Sequence, residues 1–197
     1  MVERLNGIQE VEGSTPLLST TFSVREPRST MDGRTRKSVD LRWPVPALEV
    51  ALVHPEIPPN TGNIARLCAA TGSHLHLVEP LGFRLTDRDL KRAGLDYWPH
   101  VDKTVHPGLA EFLSYLAGKR FHLFSTSGST SLFHARFQPG DVLVFGSEST
   151  GLSPTLLAAH PDRVVNLPQR LDHVRSLNLS TAAGISVYEA LRQCSLG

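Results

Sequence analysis

From about residue 48 onward, short apolar runs alternate with stretches in which apolar positions recur at helical spacing. Runs rich in Val and Leu predict buried strands, and the spaced stretches that stop at Gly predict helices. Strands that alternate with helices indicate an α/β domain with a mainly parallel sheet flanked by helices. The strands are expected at 48–54, 74–79, 121–125, 141–145 and 163–167, and the helices at 61–71, 87–93, 109–117, 154–159 and 177–193.

Turn segments follow three of the expected strands, at 125–128, 146–148 and 167–168. The carboxyl ends of parallel strands lie at one edge of a sheet, and ligands of open α/β sheets bind outside that edge. The pattern therefore predicts a ligand site there, built from segments that are far apart in the chain.

Residues 1–47 differ from the rest, because they are rich in Ser, Thr, Arg, Gly and Pro and have no sustained apolar period. This composition predicts a disordered leader ahead of a folded domain at 48–197. An organelle transit peptide is a competing interpretation, but such peptides are poor in acidic residues, and this segment contains several. A later translation start, for example at Met31, is a simpler alternative.

Composition narrows the class of protein. The chain has 197 residues, of which 40% are hydrophobic and 20% charged, as in ordinary globular domains. The longest apolar runs fall well short of the ~20 residues that span a bilayer, so no membrane association is expected. Its two cysteines, Cys68 and Cys194, suggest neither a disulfide framework nor a zinc site, which favours a reducing compartment, the cytoplasm.

Net charge alone does not indicate a nucleic-acid partner, because it is +1 for the whole chain. An RNA-binding face must therefore arise from local clustering of cations. The stretch with Arg88, Lys91 and Arg92, followed by Tyr97 and Trp98, mixes cations with aromatic rings, as phosphate contact and base stacking require. A solvated basic helix is an equally frequent explanation.

The segment 58–66 is the first that suggests chemistry. Either Asn60 or Thr61 is expected to cap the following helix, and Gly62 permits close approach of the backbone. A helix start with a nearby Arg66 suits an anionic group such as an RNA phosphate. An ordinary capped helix with a surface arginine is the more frequent explanation of these residues alone.

The segment 143–152 runs from a buried strand into Gly146, then Glu148, then Gly151. Gly146 is expected to let a flat ligand lie against bare backbone, Gly151 to allow a sharp turn, and Glu148 to fix the loop or orient a hydroxyl. A strand-to-helix turn punctuated by glycines explains the same pattern equally well.

The third segment joins the strand end at 167–169 to a loop and a helix of small residues at 175–183. Ser176, Asn178 and Ser180 offer hydrogen-bonding groups, and one of the first two is expected to cap the helix. Capping does not exclude ligand binding.

Other common chemistries are not indicated. The chain contains no G-x-G-x-x-G loop, no P-loop and no nucleophile elbow. His74 and His76 point to the same face of a strand, as a metal site requires, but no carboxylate or Cys lies close to them in sequence. Histidines on a strand surface are the favoured explanation, and no metal is expected.

Taken together and in this order, the three segments resemble the conserved motifs of the SPOUT superfamily of RNA methyltransferases, most closely its TrmL-like group. The matching text is PEIPPNTGNIARLCAATG at 55–72, HLVEPLGF at 76–83, KRAGLDY at 91–97 and RSLNLSTAAGISVYEALRQ at 175–193. The resemblance covers the chain from about residue 49 to its end.

The resemblance implies a SPOUT fold whose C-terminal segment forms a deep trefoil knot around S-adenosyl-L-methionine, the only cofactor expected. It also implies a homodimer and a tRNA substrate, methylated at the ribose 2'-hydroxyl of the wobble nucleotide, a cytidine or modified uridine at position 34. Three alternatives remain: a 2'-O-methyltransferase for another tRNA or rRNA site, a knotted RNA-binding protein without activity, and a nucleotide-binding module.

The resemblance also assigns roles to residues of this chain. Arg66 and Tyr188 take the catalytic positions, and the substrate-binding positions fall on Asn60, Arg88, Lys91 and Arg92. The positions that hold or shape the cofactor pocket are Phe124, Gly146, Glu148, Gly151, Leu167, Ser176 and Asn178.

The chain departs from the family pattern at three positions, where Ser147, Thr150 and Thr181 replace Pro, Arg and Asn. These departures leave the RNA contacts less well defined than the cofactor pocket.

Overall fold

The structure is a computed structural model that describes residues 41–84, 98, 101–170, 172 and 174–196. Most of the predicted leader lies outside the described residues. So does the predicted helix at 87–93, with Arg88, Lys91 and Arg92.

The described strands form one seven-stranded sheet in the order β3-β2-β1-β6-β4-β7-β5, and every pair of neighbours is parallel. The predicted α/β domain with a mainly parallel sheet is therefore confirmed. The strands are β1 Glu49–Val53, β2 His74–Val78, β3 Lys103–His106, β4 Phe121–Phe124, β5 Thr130–Ser131, β6 Val142–Phe145 and β7 Val164–Asn166.

Four α-helices are described: α1 Pro58–Thr71, α2 Leu109–Leu116, α3 Pro154–Ala159 and α4 Leu179–Leu196, with a short 3-10 helix at Pro161–Arg163. The predicted ends of α1, α2 and α3 agree within one residue, whereas α4 extends three residues beyond its predicted end. Gly72 ends α1 in the left-handed region with φ of 67°, a conformation that glycine adopts without strain. Ser153 caps α3 by accepting a hydrogen bond from the Leu156 amide.

The expected start of α1 was wrong. The helix begins at Pro58, so Asn60 and Thr61 lie inside its first turn, and the preceding residue Ile57 makes no side-chain cap. Two consecutive prolines explain the earlier start, because proline suits the first helical position, where the amide donor has no helical acceptor. The side chain of Asn60 is thereby available for another contact.

Alternate residues of the central strands enter two separate cores on opposite faces of the sheet. Val50 and Leu52 pack in the core that contains α1 and α4, whereas Ala51 and Val53 pack in the core that contains α2 and α3. Because both faces are covered, the central strands are apolar throughout, as in other parallel sheets.

Arg42 lies against the end of α4, where the Ser195 hydroxyl donates to its carbonyl at 2.9 Å. None of the helices in the described part of the chain combines the length and apolarity needed to cross a membrane.

Candidate cofactor pocket

A cavity of about 590 Å³ lies at the carboxyl ends of β4, β6 and β7, beside the starts of α1 and α4. This is the sheet edge where the turn pattern predicts a ligand site. Its lining includes Asn60 and all seven residues assigned to the cofactor, namely Phe124, Gly146, Glu148, Gly151, Leu167, Ser176 and Asn178. The structure therefore brings together parts of all three segments.

Glu148 ties the second segment to the start of α1. Its carboxylate accepts hydrogen bonds from the Glu56 amide at 2.8 Å, the Ile57 amide at 3.3 Å and the Asn60 side-chain amide at 2.9 Å. The two backbone amides lie at the N-terminal end of α1, where a carboxylate also interacts favourably with the helix dipole. Glu148 thus supplies the cap that the helix's own residues do not.

Asn60 extends this connection to the third segment. Its side-chain oxygen accepts a hydrogen bond from the Asn178 amide nitrogen at 2.9 Å. The Asn178 oxygen in turn accepts from the Ser180 amide at 2.9 Å and the Thr181 amide at 3.4 Å, which makes Asn178 the cap of α4. Of the two predicted caps, Asn178 takes that role. The hydrogen-bonded series Glu148–Asn60–Asn178 joins all three segments.

A second contact links the same loops. The Glu56 carboxylate accepts from the Ser149 hydroxyl at 2.6 Å and from the Ser149 amide at 3.1 Å. Because Glu148 binds the Glu56 amide while Glu56 binds Ser149, the two loops hold each other reciprocally. The pocket wall between them is fixed by five hydrogen bonds in all, counting the three to Glu148.

Gly146 lines the cavity, and its own loop gives a further reason for a glycine at this position. A Cβ atom built at Gly146 would lie only 2.1 Å from the Gly151 carbonyl carbon and 2.2 Å from the Leu152 nitrogen. The missing side chain therefore makes room for returning backbone of the same loop. Gly151 has φ of 69°, as a sharp turn requires, and the Ser147 and Thr150 hydroxyls are 2.8 Å apart across the turn.

The cavity fits an adenosine-containing cofactor in size and in chemistry, since small-molecule pockets measure about 300–1,000 Å³ and combine apolar walls with a few polar groups. Phe124 and Phe145 stack with ring centroids 4.6 Å apart and, with Leu167, provide apolar lining. The side-chain oxygen of Gln169, another lining residue, is buried and has no hydrogen-bond partner within the part of the chain that the structure describes. An orphaned acceptor in the wall suits a ligand that carries a donor.

Both residues assigned to catalysis lie outside this lining. Arg66 is exposed on α1, and Tyr188 is 59% exposed on α4. The helices α1 and α4 pack against each other, so the two side chains belong to one helical layer of the domain.

Sequence reasoning missed a second polar cluster, which packs against the face of the sheet covered by α2. We call it the histidine cluster, and its members are Glu49, His74, His76, His106, Tyr115 and Lys119. His76 lies 3.0 Å from His106 through one ring nitrogen and 3.0 Å from the Glu49 carboxylate through the other. Tyr115 and Lys119 also donate to Glu49, at 2.7 and 2.8 Å.

Electrostatics distinguish the members of this cluster. Burial alone raises the pKa of Glu49, but hydrogen bonds from His76, Lys119 and Tyr115 outweigh it and lower that pKa to about 2. Burial, followed by the nearby His76 and His74, lowers the pKa of His106. Within the described ranges, no group of three or more His, Cys, Asp or Glu residues is arranged to hold a metal ion.

The fold and the pocket define a class of protein: an α/β domain with a cofactor-sized pocket at the carboxyl edge of a parallel sheet. Residues 47–188, which make up most of the chain, match the SpoU rRNA Methylase family. The chain belongs to this family.

Individual relatives agree with this assignment. A tRNA (cytidine(34)-2'-O)-methyltransferase from Methylovorus glucosotrophus is 49% identical over 146 residues, which cover 74% of this chain and 94% of the relative. A solved structure described as giving insight into 2-OH methylation of C/U34 on tRNA is 52% identical. Its TM-score is 0.69, and the match covers 74% of this chain and 95% of the chain in that structure.

A second solved structure, an AdoMet-bound rRNA methyltransferase from Sinorhizobium meliloti, is 25% identical and has a TM-score of 0.60. It covers 74% of this chain and 56% of its own length. The expected SPOUT methyltransferase family and its S-adenosylmethionine cofactor are confirmed by these comparisons.

Proposed function

We propose that this protein transfers the methyl group of S-adenosylmethionine to the ribose 2'-hydroxyl of the wobble nucleotide, position 34, of tRNA. The observation that carries the proposal is the pocket assembled from all three family segments, in a chain about half identical to a cytidine-34 methyltransferase. The acceptor is a cytidine or a modified uridine. The free cysteines Cys68 and Cys194 fit the cytoplasmic location expected for this reaction.

The cofactor supplies an electrophilic sulfonium methyl, and the protein has to hold the acceptor hydroxyl in line with it. Positioning of two reactants accounts for much of the rate enhancement in such transfers. In this chain the hydrogen-bonded series Glu148–Asn60–Asn178 fixes the loop, the start of α1 and the start of α4 relative to one another. These residues shape the pocket rather than carry a proton.

Arg66 is proposed to act on the ribose and its neighbouring phosphate. A guanidinium stays protonated in proteins, so it cannot serve as a general base. Its fixed positive charge instead orients the substrate and favours the oxyanion that forms as the hydroxyl loses its proton. A phosphate oxygen or a water molecule accepts that proton.

Because Arg66 is exposed and outside the cavity lining of its own chain, we propose that it completes the pocket of a second copy in a homodimer. The exposed Ile185 and Tyr188 on the adjacent α4 supply apolar surface for this contact. In this arrangement Tyr188 supports the composite site from the interface.

A complementation experiment tests the composite site. At limiting cofactor, Arg66→Ala and Glu148→Ala are each expected to lose most of the activity, one for lack of the arginine and the other for lack of an ordered pocket. Co-expression gives mixed dimers in which one site keeps both groups, so activity should return. Sedimentation equilibrium provides the control, with a dimer for the native chain and a monomer for Ile185→Glu. Activity that stays absent in mixed dimers contradicts the proposal.

We also propose that the C-terminal segment forms the trefoil knot of the family. Family membership supports it, as does the position of α4, which starts at the pocket and packs against α1 and β6. Knots are rare in proteins generally, so membership of this family is the main support for one here. An experimental structure traced continuously through residues 171–178 tests it, and an unthreaded path contradicts it.

Substrate recognition is proposed to involve Asn60 at the pocket and Arg88, Lys91 and Arg92, which lie outside the described residues. The family name and the S. meliloti relative favour rRNA as the alternative substrate. Incubation with labelled S-adenosylmethionine and separate pools of tRNA and rRNA, followed by nucleoside mapping, decides between them. Label in 2'-O-methylated nucleotide 34 of tRNA is expected, and label in rRNA supports the alternative.

A further inference from the structure

We propose that Gln169 is a specificity-determining residue, whose side-chain oxygen accepts a hydrogen bond from the exocyclic amino group of the cofactor's adenine. This inference rests on the proposed function, because it takes the pocket to hold S-adenosylmethionine. It adds a side-chain contact by which this chain distinguishes adenine from other purines.

The Gln169 side-chain oxygen is buried and has no hydrogen-bond partner among the described residues. Buried polar atoms are paired in the great majority of cases, because leaving one unpaired is destabilising. Gln169 belongs to the pocket lining, so a rotation of its side chain would pair this oxygen with a ligand in the pocket.

The position of Gln169 relates it to the apolar part of the pocket. It follows the pocket residue Leu167 by two positions, and Pro168 between them is exposed. Residues i and i+2 of extended chain share a side, which agrees with Leu167 and Gln169 both lining the cavity. A flat purine that packs on Leu167 would therefore have its edge near the Gln169 amide.

The chemistry of Gln169 selects among the donors that the cofactor offers. A neutral amide does not compensate the charge of an ammonium group, whereas it pairs well with the neutral amino group of adenine. The ribose hydroxyls can pair with small polar groups elsewhere in the lining, such as Ser125 and Thr126. The adenine amino group is thus the donor that best matches Gln169.

Asn166 provides a matched control, because it is another amide in the same lining. Its nitrogen donates to the Thr126 carbonyl at 2.8 Å, so the protein itself fixes this amide. A change at Asn166 should weaken binding of all purine forms alike, whereas a change at Gln169 should alter the preference between them.

The test compares two ligands by calorimetry, S-adenosylhomocysteine and S-inosylhomocysteine, in which a carbonyl oxygen replaces the exocyclic amino group. The native protein should bind the adenine form about 10- to 100-fold more tightly, since the inosine form either sets its carbonyl against the Gln169 oxygen or forces the buried amide to turn over. In Gln169→Leu this ratio should fall to within about threefold. In Asn166→Leu the ratio should stay at the native value.

Gln169→Glu is a second variant, which keeps an acceptor oxygen and should retain the preference for adenine. The proposal is overturned if Gln169→Leu keeps the native ratio or if the native protein binds the inosine form as well as the adenine form. If the native protein binds neither ligand, the proposed cofactor fails as well. The two failures are therefore distinguishable.

Discussion

The cofactor pocket and the histidine cluster both contain polar side chains, but they differ in how far their hydrogen-bonding groups are paired within the protein. In the histidine cluster Glu49 accepts from three partners, and both nitrogens of His76 are paired. In the pocket a buried oxygen of Gln169 has no partner in the described ranges 41–84, 98, 101–170, 172 and 174–196. A cluster whose hydrogen-bonding groups are all paired within the protein stabilises the fold. A pocket wall with an unpaired acceptor is suited to binding an external ligand.

The comparison predicts that substitutions in the two regions have separable effects. Changes at the pocket should alter cofactor binding or turnover, and changes in the histidine cluster should alter stability alone.

The largest effect is expected for Arg66→Ala. Turnover should fall by about 10²–10³-fold or more, because a fixed positive charge next to the developing oxyanion is lost. The affinity for S-adenosylhomocysteine should stay within about twofold, since Arg66 lies outside the pocket lining. Single-turnover methyl transfer and calorimetry measure the two quantities. An equal loss of cofactor affinity would mean that Arg66 is structural.

Glu148→Ala is expected to weaken cofactor binding about 10- to 100-fold and to lower the free energy of unfolding by about 2–3 kcal/mol. It leaves the Glu56 amide, the Ile57 amide and the Asn60 side chain without their acceptor. Calorimetry and urea denaturation provide the measurements. Glu56→Ala, which leaves these three donors bound, serves as control and should be milder. Equal effects of the two changes contradict the central position of Glu148.

Glu49→Gln tests the histidine cluster. The free energy of unfolding should fall by about 2–3 kcal/mol, because the carboxylate is only 15% exposed and its pKa of about 2 reflects strong stabilisation of the charge. Cofactor affinity should not change. Glu189→Gln is the control, since its partner Arg192 is 58% exposed, and surface pairs contribute about 1 kcal/mol or less. A change in cofactor affinity would show that the two regions are coupled.

The smallest effect concerns pH. The lowered pKa of His106 means that the folded protein disfavours its protonation, so stability should fall as the pH drops below 6.5. One proton contributes at most about 1.4 kcal/mol per pH unit. The Glu49 contribution is lost only between about pH 4.5 and 2, so urea denaturation from pH 7.5 to 5.5 separates His106 from Glu49. His106→Gln should flatten the profile, and an unchanged slope contradicts this assignment.

The same two regions show what the sequence can and cannot predict. β6 was predictable, because four consecutive apolar residues lead into Gly146. β3 was missed, since Lys103–His106 is a polar, partly exposed edge strand whose pairing depends on β2. Its position is set by tertiary contacts that leave little trace in local hydrophobic pattern.

Among the site residues, the motif segments were recognisable because each is short and local. The contact between Asn60 and Asn178 spans 118 positions, and the one between Glu49 and Lys119 spans 70. Such pairs can be identified only when the order of the strands in the sheet is known. The sequence drew attention to His74 and His76 but gave no sign of Glu49 and His106, which are their partners in space.

The central claim is methyl transfer to the ribose of nucleotide 34, and the acceptor atom itself can be removed. Two tRNAs that differ only in a ribose or a 2'-deoxyribose at cytidine 34 are incubated with the native protein and labelled S-adenosylmethionine. The account predicts label in the ribose form and none in the dC34 form. Equal labelling of both tRNAs, or labelling of neither, contradicts it.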